Sequence, residues 1–67
     1  MAPLTPREAE IARLVARGMG VKGIAHKLGI SPKTVDAHIQ NAAGRLPGRG
    51  NAKIKLVLFV LNERKTA

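Results

Sequence analysis

The sequence predicts an all-α domain of four helices, on three observations. Apolar residues recur at helical spacing in four successive segments, and glycines or prolines punctuate the gaps between them. The last segment, whose β-branched and aromatic residues could suit a strand, does not keep polar and apolar residues alternating along its length. The expected helices are about 6–17, 21–28, 32–46 and 51–63, packed as one compact unit spanning residues 1–67, with frayed ends at 1–3 and 64–67. At 67 residues the chain suits one small domain, either a stand-alone protein or one module of a longer one.

The first helix lies in "LTPREAEIARLVARG". Thr5 can cap it, Pro6 fits the first helical position, and Glu8 stands three residues after Thr5, completing a capping box. Ile11, Leu14 and Val15 share a helical face, Arg13 and Arg17 fall on others, and Gly18 ends the run. The second helix, in "GVKGIAHKLG", carries Ile24, Ala25 and Leu28 as its apolar residues. Gly23 inside it costs on the order of 1 kcal/mol relative to Ala. Gly29 supplies the positive φ that stops the helix, and Ile30 points inward.

Ser31 then caps a third helix and Pro32 starts it. Val35, Ile39, Ala42 and Leu46 form its apolar stripe, and "PGRG" ends it. The last segment, "NAKIKLVLFVLNERK", is rich in β-branched residues yet does not alternate, so a helix is expected. At ~100° per residue, Ile54, Val57, Leu58 and Leu61 share one face, and Leu56, Phe59 and Val60 form a second, roughly opposite face. A helix apolar on two sides needs burial on two sides. The domain body can cover one; the simplest cover for the other is a second copy.

Charge narrows the function. Lys and Arg number 12 against 4 Asp and Glu, a net charge of +8, which attracts polyanions. Nucleic acid leads as the partner, ahead of an anionic membrane surface or a ribosomal site. A single aromatic, Phe59, argues against RNA-binding folds that stack bases on aromatic platforms. Cysteine is absent, and His26 and His38 have no companions at metal-binding spacing, so neither disulfide, metal nor cofactor is expected. "GMGVKG" fits the dinucleotide pattern G-x-G-x-x-G, but a helix precedes it and no acid follows about 20 residues on, where Ala43 stands. No nucleophile–base pair or carboxylate dyad suggests an enzyme. No signal peptide is visible, and the apolar run at 56–61 is too short to span a bilayer. A cytoplasmic protein is expected, nucleoid-associated when bound to DNA.

Two helices joined by a tight glycine turn, on a basic domain, form a helix-turn-helix. Ala25 lets the two helices approach closely, and Ile24, Leu28, Ile30 and Val35 lock them against the first. The restart at Ser31 turns the next helix across its predecessor, so that its N-terminal half can enter a major groove.

At these residues the chain resembles a known family. "LTPREAEIARLVARG" followed by "IAHKLGISPKTVDAHI" is similar to the LuxR-type (GerE-like) C-terminal DNA-binding domain of bacterial transcription regulators, over residues 4 to about 61. The resemblance implies a compact four-helix domain whose third helix reads DNA and whose fourth pairs two subunits. Gly20, Val21, Lys22 and Gly23 depart from the family's usual polar cap and glutamate, so a less well anchored second helix is expected.

With the apolar stripe inward, helix 32–46 presents Lys33, Asp36, Ala37, Gln40 and Gly44 outward. Gln40 suits an adenine edge, Ala37 a thymine methyl, and Asp36 the cytosine amino group. The resemblance puts base readers at the same three positions. Phosphate contacts are expected from Lys22, Lys33, Thr34, His38 and Arg45, with Ser31 and the helix N-terminus adding an anion site; His26 is expected to be merely exposed.

The expected function is a sequence-specific, double-stranded DNA-binding transcription regulator acting as a homodimer. Helix 32–46 reads the major groove, and helix 51–63 forms the dimer interface through Leu56, Phe59 and Val60. A second reading is a protein-interaction module docking on RNA polymerase, a sigma factor or a partner regulator. A membrane-surface peptide is disfavoured, because the last helix lacks Trp and a broad cationic face.

Overall fold

Thr5 and Glu8 close the first helix with the reciprocal bonds that their spacing predicts. Thr5 Oγ1 accepts from the Glu8 N–H at 3.1 Å, and Glu8 Oε1 accepts from the Thr5 N–H at 3.0 Å. A computed structural model of the protein describes the backbone of residues 4–66 and the side chains of residues 4–63. Four helices follow in order: α1 (Pro6–Ala16), α2 (Val21–Leu28), α3 (Pro32–Arg45) and α4 (Ala52–Thr66). The fold class is the expected one. Three helix ends differ from expectation by one residue and the end of α4 by three. Leu46 precedes Pro47 and takes an extended conformation (φ −94°, ψ 142°), so α3 stops at Arg45. Asn51 sits outside α4 as its cap, with Oδ1 accepting from the Ile54 N–H at 2.9 Å. The backbone at 64–66, expected to fray, continues α4; the expected frayed residues 1–3 and 67 lie outside the described residues.

α1 and α2 stop by the same device. Gly18 and Gly29 adopt φ of +89° and +69°, which costs an L-residue roughly 1–2 kcal/mol. After α1, the Met19 N–H reaches back to the Leu14 carbonyl at 3.2 Å; after α2, the Ile30 N–H reaches the Ala25 carbonyl at 3.0 Å. Both are Schellman closures, and each turns the chain sharply while satisfying carbonyls that the helix end leaves over. At the other end of α2, Gly20 provides no side-chain cap, as the glycine-rich departure predicts.

The core draws on all four helices: Ile11, Ile24, Val35, Ile39 and Leu56 are fully buried. α1 packs against the other three, and α3 also packs against α2 and α4. α4 corrects one expectation. Leu56 and Val60, assigned to a dimer interface, are 0% and 3% exposed and belong to the core, with Phe59 half-buried beside them. The uncovered apolar side is Ile54, Leu58 and Leu61, at 49%, 55% and 47% exposure. Apolar residues surround nearly the whole of α4, so periodicity alone does not say which side meets the body.

Candidate nucleic-acid interface

The inner and outer sides of α3 are cleanly divided. Val35, Ile39 and Ala42 are at most 1% exposed, and Ala43 is buried with them. Asp36, Ala37, Gln40, Asn41 and Gly44 are exposed, so the three expected base readers stand together on the outer face. The Gly29 turn and the Ser31 cap set this rotation. Ser31 Oγ accepts from the Thr34 N–H at 3.1 Å and lies 2.8 Å from Thr34 Oγ1. That pairing alters the expected anion site. Pro32 has no N–H and the Thr34 N–H is taken, so Lys33 supplies the N–H that the first turn can still offer. Lys33 and Thr34 are exposed at this end, Lys22 is exposed on α2, and His38 is half-buried on α3. His26 is exposed, as expected.

Arg45, expected among the phosphate contacts, lies at the other end of α3 and makes an ion pair there. Its Nη2 donates to Glu8 Oε2 at 2.7 Å and its Nη1 donates to Glu8 Oε1, a two-point ion pair from the end of α3 to the start of α1. Glu8 is 4% exposed. The Arg45 hydrogen bonds hold its carboxyl below the ordinary value, against the opposing effect of burial; the Thr5 amide and hydroxyl add to the lowering. In turn Glu8 raises the pKa of Arg45. The pair was not visible in the sequence, since 37 residues separate the partners. Glu8 reads there as half of a capping box, with no sign of what its second oxygen meets.

Lys55 was missed as well. Its Nζ lies 3.4 Å from the carbonyl oxygens of both Leu46 and Ala43 at the end of α3, the latter also accepting from the Leu46 N–H at 3.1 Å. Of the four acids, Glu8 pairs with Arg45, Glu10 with Arg7 at 3.4 Å and Glu63 with Arg13 at 3.9 Å. Among the described residues no cation lies within ion-pair distance of Asp36. The one acid on the outer face of α3 therefore faces solvent and whatever that face meets.

The larger concavities lie away from the outer face of α3. A groove of about 370 Å³ runs between α4 and the α1–α2 turn, lined by Met19, Gly20, Ile54 and Leu58 among others, and one of about 250 Å³ lies beyond Leu58, by Pro47 and Phe59. A shallower one of about 240 Å³ opens beside Gln40 and Gly44. A helix that enters a DNA groove is the convex partner, so a pocket on α3 is not required. Among the described residues no three potential ligands gather as a metal site, and no helix is long and apolar enough to cross a membrane.

A basic four-helix body that presents the second helix of a helix-turn-helix outward defines a class, the DNA-binding domains of transcription regulators. The profile described as "Bacterial regulatory proteins, luxR family" matches residues 2–57. The chain belongs to that luxR family, whose members are transcription regulators rather than enzymes. It is similar to the transcriptional regulatory protein UhpA of Escherichia coli, 52% identical over 85% of this chain and 29% of that protein. The oxygen regulatory protein NreC of Staphylococcus haemolyticus is 41% identical over 91% of this chain and 27% of its own length. A putative HTH-type transcriptional regulator of Mycobacterium bovis is 42% identical over 64% of this chain and 5% of its own. The chain thus spans less than a third of the curated relatives it matches. No solved structure matches it.

Proposed function

We propose that the chain acts as one sequence-specific DNA-reading domain of a transcription regulator, with α3 in the major groove of double-stranded DNA. The observation that supports this most is the division of α3: Val35 and Ile39 are sealed inside, while Asp36, Ala37 and Gln40 share the exposed face. On this reading Gln40 pairs with an adenine edge, Ala37 touches a thymine methyl and Asp36 accepts from a cytosine amino group. Lys22, Lys33 and the exposed N-terminus of α3, with Ser31, Thr34 and His38, meet phosphates; Arg45 is committed to Glu8.

Two copies pair through the exposed stripe of Ile54, Leu58 and Leu61, which sets their α3 helices one DNA turn apart, roughly 34 Å. Such a regulator works in the cytoplasm, at the nucleoid when bound. The same stripe suits the second reading, docking on RNA polymerase or another regulator, which does not require base selection by α3. Selection from random duplexes tests the proposal. Recovery of a two-fold-related consensus, with log affinity falling linearly against log salt, is the expected result. Absence of any enriched sequence, or a flat salt response, overturns it.

A further inference from the structure

We propose that Glu8 is a positioning residue for DNA reading: through Arg45 it fixes the C-terminal end of α3 against α1, and so governs which bases Asp36, Ala37 and Gln40 meet, without touching DNA. The inference rests on α3 being the reading helix and adds a determinant remote from its exposed face. The geometry is that of a clamp. Glu8 Oε1 accepts from the Thr5 N–H at 3.0 Å and from Arg45 Nη1, while Oε2 accepts from Arg45 Nη2 at 2.7 Å. Two parallel bonds to a planar guanidinium fix rotation as well as distance, which one bond does not. The carboxylate is itself fixed, since it lies buried within the first turn of α1.

Electrostatics favour the same arrangement. Glu8 sits at the positive end of the α1 dipole and Arg45 at the negative end of the α3 dipole, so each charge is stabilised by its own helix before they meet. Lys55 holds the carbonyls of Ala43 and Leu46 from the α4 side. The C-terminal end of α3 is therefore gripped from both α1 and α4, while Ser31, Lys33, Asp36 and Ala37 at its other end face solvent.

Glu8→Gln isolates the effect, because Gln at this position still serves a capping box but cannot form the charged pair. Arg45→Lys keeps the net charge and offers one donor centre in place of the fork. The full chain of each is titrated with its selected duplex and with a duplex changed at one base pair, at one salt concentration and at a temperature where circular dichroism shows equal helix content. The expected result is a loss of selectivity, by about tenfold in Glu8→Gln and less in Arg45→Lys, because a well-aligned base contact discriminates by roughly 5- to 150-fold. Affinity for an unrelated duplex holds or rises, since Glu8→Gln removes a negative charge. A selectivity ratio equal to that of the unaltered chain, with only the melting temperature lowered, overturns the proposal and leaves the pair purely stabilising. Should Glu8→Gln fail to fold, Arg45→Lys decides between the same two outcomes. A failure of the DNA reading itself shows differently: the unaltered chain then prefers neither duplex.

Discussion

Leu56 and Leu58 are two residues apart on α4, yet Leu56 is 0% exposed and Leu58 is 55% exposed. The two leucines therefore do different work. Leu58→Asp is expected to keep the fold, within about 0.5 kcal/mol, as surface changes do. It should halve the protein mass carried by a duplex with a single half-site, measured by light scattering with the DNA subtracted. Leu56→Ala is expected to cost about 2–5 kcal/mol, comparable with the whole stability of a domain this small. Denaturant titration should find it largely unfolded. A dimer that survives Leu58→Asp would move the interface off this stripe.

Two glycines should respond in opposite directions to the same change. Gly23 lies inside α2, and a Cβ added there meets only Met19 Cε, at an ordinary 3.5 Å. Gly23→Ala is expected to stabilise by up to about 1 kcal/mol, raising the melting temperature by roughly 4–8 °C. Gly29 has open space around it but a φ of +69°. Gly29→Ala is expected to destabilise by roughly 1–2 kcal/mol. Calorimetry on the two variants reads both signs.

Acid should weaken the fold through Glu8. Its pKa is lowered on folding, chiefly by Arg45, so its contribution is fully present above the unfolded value near 4.5 and fades as pH falls through the lower folded value. Urea titrations from pH 7 down to pH 3 should therefore show the gap between the unaltered chain and Glu8→Gln, about 1–2 kcal/mol at neutral pH, closing toward the acid end. A gap independent of pH would mean that Glu8 acts through packing alone.

On α3, readers and phosphate contacts should separate by their signatures. Gln40→Ala is expected to relax selectivity at one base position by about 1–3 kcal/mol, with the salt slope unchanged. Lys33→Ala should weaken all duplexes alike and lower the slope of log affinity against log salt by about 1. Fluorescence-anisotropy titrations over several salt concentrations distinguish the two patterns. Identical behaviour of both variants would place neither residue in its assigned role.

What was legible in the sequence was local. Thr5, Pro6 and Glu8, the glycines at 18 and 29, and Ser31 with Pro32 act within four or five residues, and each forms the cap or stop its chemistry dictates. The inner stripe of α3 was equally legible, because Val35, Ile39 and Ala42 obey a 3.6-residue period that leaves Asp36, Ala37 and Gln40 outside. Contacts set by tertiary placement were not. Arg45 looks like any basic residue until the fold brings it onto Glu8. Lys55 shows no sign that its ammonium will cover the last carbonyls of α3. The orientation of α4 was hidden for a related reason: both its sides are greasy enough to be buried, and only the shape of the body selects between them.

Arg45 and Lys55 root α3 at its C-terminal end, while Val35 and Ile39, buried in the core, seat the half that leads to its tip at Ser31. Asp36 stands nine residues out from Arg45, about 14 Å along the axis, so a tilt of about 10° at the root sweeps it through roughly 2 Å. That is a large part of the distance between neighbouring base pairs, roughly 3.4 Å. Small repacking at the hinge end thus offers evolution a vernier for retuning operator preference while every residue at the tip stays the same.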